Sequence, residues 1–159
     1  MKNIKLLFAF QFLFLFTNFC NAQNDWTNLF DGKTLTGWKK LGGTANYDVE
    51  NGMIVGSTVV NSPNTFLCTE KQFGDFILEL EVKIDDTTSN SGVQLRSHFN
   101  DTMNNGKGRV YGYQCEFDPS ARRWSGGLYD EGRRDWLYPM SLHVDAQNAF
   151  KIGEFNTVH

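Results

Sequence analysis

Proline, cysteine and histidine are all scarce, with 3 of each in a chain of 159 residues. Net charge is small as well: 15 Lys and Arg stand against 18 Asp and Glu, a formal balance of −3. That balance leaves no electrostatic footprint for nucleic acid or an anionic membrane surface. There is no internal repeat, no low-complexity tract and no linker after the N-terminal segment. No stretch has convincing helical amphipathicity, and Ser141 to Phe150 has room for one or two turns at most. Local catalytic motifs are missing too. There is no H-E-x-x-H, no EF-hand loop and no G-x-S-x-G elbow, and Ser125 has no neighbouring histidine. A serine-hydrolase triad is therefore unsupported, and any metal site must be assembled in space. What remains, 40% hydrophobic and 14% aromatic, is a globular composition long enough for one domain.

The first 22 residues read as a signal peptide. Lys2 and Lys5 precede an apolar run from Leu6 to Phe19, and Cys20-Asn21-Ala22 offers small side chains for cleavage before Gln23. The run is short of the ~20 residues that a bilayer span needs. Export to the periplasm, the cell surface or the medium is expected, with no membrane attachment once the segment is cut. Losing Lys2 and Lys5 takes the formal charge from −3 to −5. Cys68 and Cys115 then remain, in apolar strand-like contexts that favour two buried free thiols over a bridge.

Almost everything else is β. Asn51-Gly52 sits between two alternating runs in "YDVENGMIVG", a strong hairpin signal. "DFILELEVKID" from Asp75 to Asp85 alternates cleanly, as does "NSGVQLRSH" from Asn90 to His98, and the short link between them predicts antiparallel neighbours. "RVYGYQCEFD" follows after a polar loop. Many short strands divided by turn signals predict an all-β antiparallel sandwich or jelly roll over residues 23–159. The chain stops in an alternating run at His159, so the expected sandwich is C-terminally incomplete.

Three of these strands carry polar rows: Glu79 and Glu81; Gln94, Arg96 and His98; Gln114, Glu116 and Asp118. Neighbouring strands would set such rows about 5 Å apart on one face. A solvated sheet face is one reading. The other is a binding floor, because these rows favour amides, carboxylates and Arg over Lys and Thr, and aromatics crowd the loop that follows. Sugars need both donors and acceptors for their hydroxyls, and rings on which their C–H faces can pack. "RRWSGGLYDEGRRDW" supplies the wall, with Arg122, Arg123, Arg133 and Arg134 able to pair with Asp130, Glu131 or Asp135. Glu116, Asp118 and His98 are an alternative divalent-metal set, although no metal or other cofactor is expected.

The ordered segments "LFDGKTLTGWKK", "YDVENGMIVG", "FLCTEKQFGDFILELEVKID", "NSGVQLRS" and "VYGYQCEFDPSARRWSGGLYDEGRRDWLYP" resemble the bacterial 3-keto-disaccharide hydrolase domain family. The resemblance runs from about Trp26 to the C-terminus. It implies a concanavalin-like jelly roll that cleaves glycosides already oxidised at C3. A C3 ketone acidifies the C2 proton, so a base removes it, a donor steadies the enolate oxygen, and an acid assists loss of the C1 substituent. Glu116 or Asp118 would be the base, Arg96 would polarise the ketone, and His98 or the other carboxylate would assist departure. Gln94, Gln114, Trp124, Tyr129, Glu131, Arg133 and Trp136 would bind the sugar. The alternatives are a non-catalytic carbohydrate-binding module and a structural surface protein.

Overall fold

The computed structural model describes residues 26–159, so the expected signal peptide lies outside the described residues. The architecture is all-β and antiparallel, of the sandwich type. Strands β1 (Trp38–Gly42) and β4 (Thr65–Thr69) pair, as do β2 (Asn46–Glu50) and β3 (Met53–Ser57), and β5 (Leu80–Val82) and β10 (Asn156–Val158). The largest sheet has four strands in sequential order: β6 (Ser91–Asn100), β7 (Arg109–Phe117), β8 (Leu128–Glu131) and β9 (Asp135–Tyr138). The expected Asn51-Gly52 hairpin joins β2 to β3. Both turn residues have positive φ, 51° and 77°, which matches the twist a two-residue hairpin requires.

One strand assignment is corrected. Of the run Asp75 to Asp85 only Leu80–Val82 is a strand, and its partner is β10 rather than β6. Period-two alternation fixes which side chains share a face, but it does not choose the neighbouring strand. Glu81 consequently faces Thr157 across its ladder, and Glu79 and Glu81 do not extend the polar rows of the four-stranded sheet.

Burial concentrates on β7. Val110, Gly112, Gln114 and Glu116, which share a face, are all buried, whereas Tyr111, Tyr113 and Cys115 on the other face are half-buried. The polar row is thus the more enclosed side of the central strand, the reverse of a wet sheet face. Next to it, Phe117 stacks on Phe150 with ring centroids 5.9 Å apart, and Met140 is also buried. Cys68 and Cys115 are free thiols, both half-buried. Among the described residues no helix is long and apolar enough to cross a membrane.

Candidate functional site

The site grows from the even-numbered face of β7. Register places Gln94 of β6 and Tyr129 of β8 on either side of Gln114, and Trp136 of β9 beyond Tyr129. The next row holds Glu116, opposite Gly92. A side chain at Gly92 would collide with this arrangement, since a Cβ there would lie 2.6 Å from Gln114 Cγ. The missing side chain is what lets the Gln114 amide lie flat against β6.

Both carboxylate oxygens of Glu116 accept hydrogen bonds from amides. Gln114 Nε2 donates to Oε2 at 2.6 Å, and Asn90 Nδ2 donates to Oε1 at 3.0 Å. An ionised carboxylate only accepts, so the Gln114 amide must point its nitrogen inward. Its oxygen then accepts from Gln94 Nε2 at 3.1 Å, and Gln94 Oε1 accepts from Ser97 Oγ at 2.8 Å. Glu116 is 3% exposed. Burial pushes its pKa above the usual carboxylate range, with Asp118 and Glu131 adding to the rise, while the Gln114 hydrogen bond and Arg122 oppose it.

A second carboxylate, Glu131, closes the other side. Its Oε1 accepts from Arg109 Nε at 3.1 Å and Nη2 at 2.6 Å, and Asn64 Nδ2 approaches both oxygens at 3.4 Å. Arg122 forms the third side, its guanidinium stacked over Trp124 at 4.9 Å and Trp136 at 5.6 Å. Arg122 Nη2 lies 2.6 Å from Asp118 Oδ2, an ionic contact off any hydrogen-bond direction, so that oxygen has no directed partner. The Tyr129 phenol donates to Asp135 at 2.9 Å, and burial together with that bond pushes its pKa up to about 12. These groups enclose a cavity of about 240 Å³ lined by Asn64, Asn90, Gln114, Glu116, Arg122, Tyr129, Glu131 and Trp136.

Of the residues singled out in the sequence, Gln114, Glu116, Tyr129, Glu131 and Trp136 meet at this cavity. Gln94, Trp124 and Asp118 stand one contact behind it, through Gln114, Arg122 and Trp136. Three residues are not brought there. A β-bulge between Leu95 and His98 inserts one residue, with Arg96 at φ 49°, and turns the rest of β6 over. His98 therefore pairs with Tyr111 and stacks on its ring at 5.6 Å, on the opposite face. Arg96 points to solvent and pairs with the exposed Asp75 at 2.8 Å. Arg133 also belongs to the opposite face, where it pairs with Asp130 at 2.7 Å and lies over Tyr113 at 5.0 Å. The Glu116–Asp118–His98 metal set is not assembled, and among the described residues no group of three or more His, Cys, Asp or Glu could hold a metal ion.

Sequence reasoning did not single out Asn64, Asn90 or Arg109. Asn64 sits in the β3–β4 loop, far from the site in sequence, and nothing local marks it. Asn90 immediately precedes β6, in step with Gln94 by alternation. Arg109 begins β7 two residues before Tyr111, outside the polar row that drew attention.

No curated protein matched the chain. Residues 25–159 match the family described as the 3-keto-alpha-glucoside-1,2-lyase-like domain. Matched over nearly its whole length, the chain belongs to that carbohydrate-acting family.

Proposed function

We propose that the protein is an exported enzyme that splits 3-keto-glycosides by removing the C2 proton and expelling the C1 substituent. The observation that carries this reading is Glu116, a buried carboxylate with a raised pKa at the floor of a polar cavity. A proton-transfer group works best when its pKa approaches the ambient pH, and burial moves Glu116 that way. Glu116 takes the C2 proton, and the electron pair of that C–H bond passes to the C3 oxygen as an enolate. Arg122 is the cation able to stabilise that oxygen, held rigid by two tryptophans and Asp118. Collapse of the enolate forms the C1–C2 double bond and breaks the C1–O bond, and Glu116 returns its proton to the departing oxygen. Water adding across the product alkene yields net hydrolysis. The edge and face of Trp136 and Tyr129, 5.2 Å apart, provide the ring platform.

The test is turnover of a 3-keto-glucoside beside its unoxidised parent. Only the ketone should react, with a primary isotope effect when C2 carries deuterium. Glu116→Gln should lower kcat/KM by about 10²–10⁴-fold while leaving the fold intact. Full activity in that variant, or equal cleavage of the unoxidised glycoside, would overturn the reading. Tight sugar binding with no product would identify a lectin instead.

A further inference from the structure

Tyr129 lines the cavity with a side chain that has one polar atom, and that atom is already committed in one direction. Its phenol donates to Asp135 Oδ1 at 2.9 Å. A phenol has a single proton to give, so Tyr129 cannot also donate to a molecule bound in the cavity. Among the described residues nothing donates to its oxygen, which keeps its capacity to accept. Burial, the Asp135 bond and the charges of Asp135 and Glu131 push its pKa up to about 12 against the pull of Arg109, so the proton stays in place. Bonding to a carboxylate also polarises the O–H group and strengthens its oxygen as an acceptor.

Asp135 reaches that phenol by an uncommon route. Register pairs it with Asp130, whose carboxylate lies on the opposite face of the sheet beside Arg133 and Arg134. Extended backbone would set the two aspartates side by side. Asp135 instead has left-handed backbone, φ 63°, and its carboxylate meets the phenol. Trp136, the next residue, packs against the Tyr129 ring at 5.2 Å with an interplanar angle of 65°. Ring and hydroxyl are thus held separately, one by packing and the other by charge.

We infer that Tyr129 reads a free hydroxyl of the sugar, at C4 or C6, by accepting a hydrogen bond from it, and that Asp135 is the positioning residue that fixes this polarity. The inference rests on the proposed reaction. There Glu116 serves C2 and C1 and Arg122 serves the C3 oxygen, so C4 and C6 carry the hydroxyls away from the reacting atoms. A ring platform alone makes no such demand, because stacking is indifferent to where a hydroxyl points its proton.

The experiment compares methyl 3-keto-glucoside with its 4-deoxy-4-fluoro and 6-deoxy-6-fluoro analogues. Fluorine fills the place of the hydroxyl and cannot donate. The quantity read is the hydroxyl-to-fluoro ratio of kcat/KM in wild type divided by that in Tyr129→Phe, in which the electronic effect of fluorine cancels. It should be about two- to tenfold at one of the two positions. Asp135→Gly keeps the left-handed backbone and frees the phenol proton to turn toward fluorine, so the discrimination should shrink. Asp135→Asn keeps an accepting oxygen and should preserve it. A quotient near one at both positions overturns the inference, while turnover of the parent glycoside still upholds the reaction. Equal losses on all three substrates in Asp135→Gly would show that Asp135 is structural only, and the fixed polarity would fall. If the parent is not cleaved, the reaction and the hydroxyl reading fall together.

Discussion

Glu116 and Asp130 lie on neighbouring strands, on opposite faces of one sheet, and both are almost wholly removed from water, at 3% and 0% exposure. Burial raises the pKa of each, yet the outcomes diverge. Around Glu116 the direct donors are the neutral amides of Gln114 and Asn90, and the net shift is upward. Around Asp130 the donors are guanidiniums, Arg134 Nε at 2.5 Å and Arg133 Nε at 2.7 Å, and they hold the pKa below the usual carboxylate range despite burial. Two full positive charges offset desolvation where two dipoles do not. The same residue class therefore gives a proton carrier on one face and a fixed anchor for the β8–β9 turn on the other.

That contrast breaks most visibly in stability. Asp130→Asn leaves Arg133 and Arg134 without their shared counter-charge and should cause the largest loss of Tm of any change discussed here. Because the native pKa of Asp130 is depressed, its contribution is present above the unfolded carboxylate pKa and is lost as pH falls through the native value. The Tm gap between wild type and Asp130→Asn should therefore shrink toward acid. Glu116 has the opposite sign. Its raised native pKa means that stability erodes as pH rises through that value, so Glu116→Gln should gain on wild type toward alkaline pH. Thermal melts from about pH 2 to about pH 8 read both trends, and parallel curves for the two variants would show that the faces do not differ as described.

The arginines sharpen the same comparison in activity. Arg122→Lys retains a charge but loses the guanidinium plane that lies over Trp124 and Trp136. It should lower kcat on a 3-keto-glycoside by about 10- to 100-fold. Arg133→Lys, made on the anchor face, should leave kcat within about twofold and lower Tm modestly. Equal kinetic losses in the two variants would erase the distinction.

The sequence carried the sheet chemistry further than the sheet geometry. Alternation in "GYQCEFD" put Gln114 and Glu116 on one face, and in the structure they share it. Alternation in "NSGVQLRSH" held as far as Leu95 and then failed, because one inserted residue reverses every later side chain. Asn51-Gly52 announced its turn, but the Leu95–His98 bulge is made by Arg96 at positive φ, a residue with no special tendency toward that conformation. Gly112 is the trace the bulge leaves in sequence. At φ 150° it lies against Ser97, and a Cβ there would stand 2.7 Å from Ser97 Oγ. A glycine in the middle of a strand is a known sign of close backbone approach. Partners such as Asn64 were illegible for a different reason: a loop position is chosen by tertiary contact and has no period to betray it.

The bulge that removes Arg96 and His98 from the site also brings in Ser97, whose effect should be small and the most diagnostic. Its hydroxyl donates to Gln94 Oε1, which leaves the Gln94 nitrogen for Gln114 and the Gln114 nitrogen for Glu116. Ser97→Ala removes the outermost donor, so both amides can reverse and present an oxygen to the carboxylate. An acceptor facing Glu116 favours its protonated form and raises its pKa further. As the base, Glu116 must be ionised, so the acid limb of kcat/KM should move to higher pH, with less than about a tenfold loss on the alkaline side. Ser97→Thr keeps the hydroxyl and should restore the wild-type limb. A variant that loses rate equally at every pH would show Ser97 to be packing alone, because packing has no reason to follow the ionisation of a carboxylate two amides away.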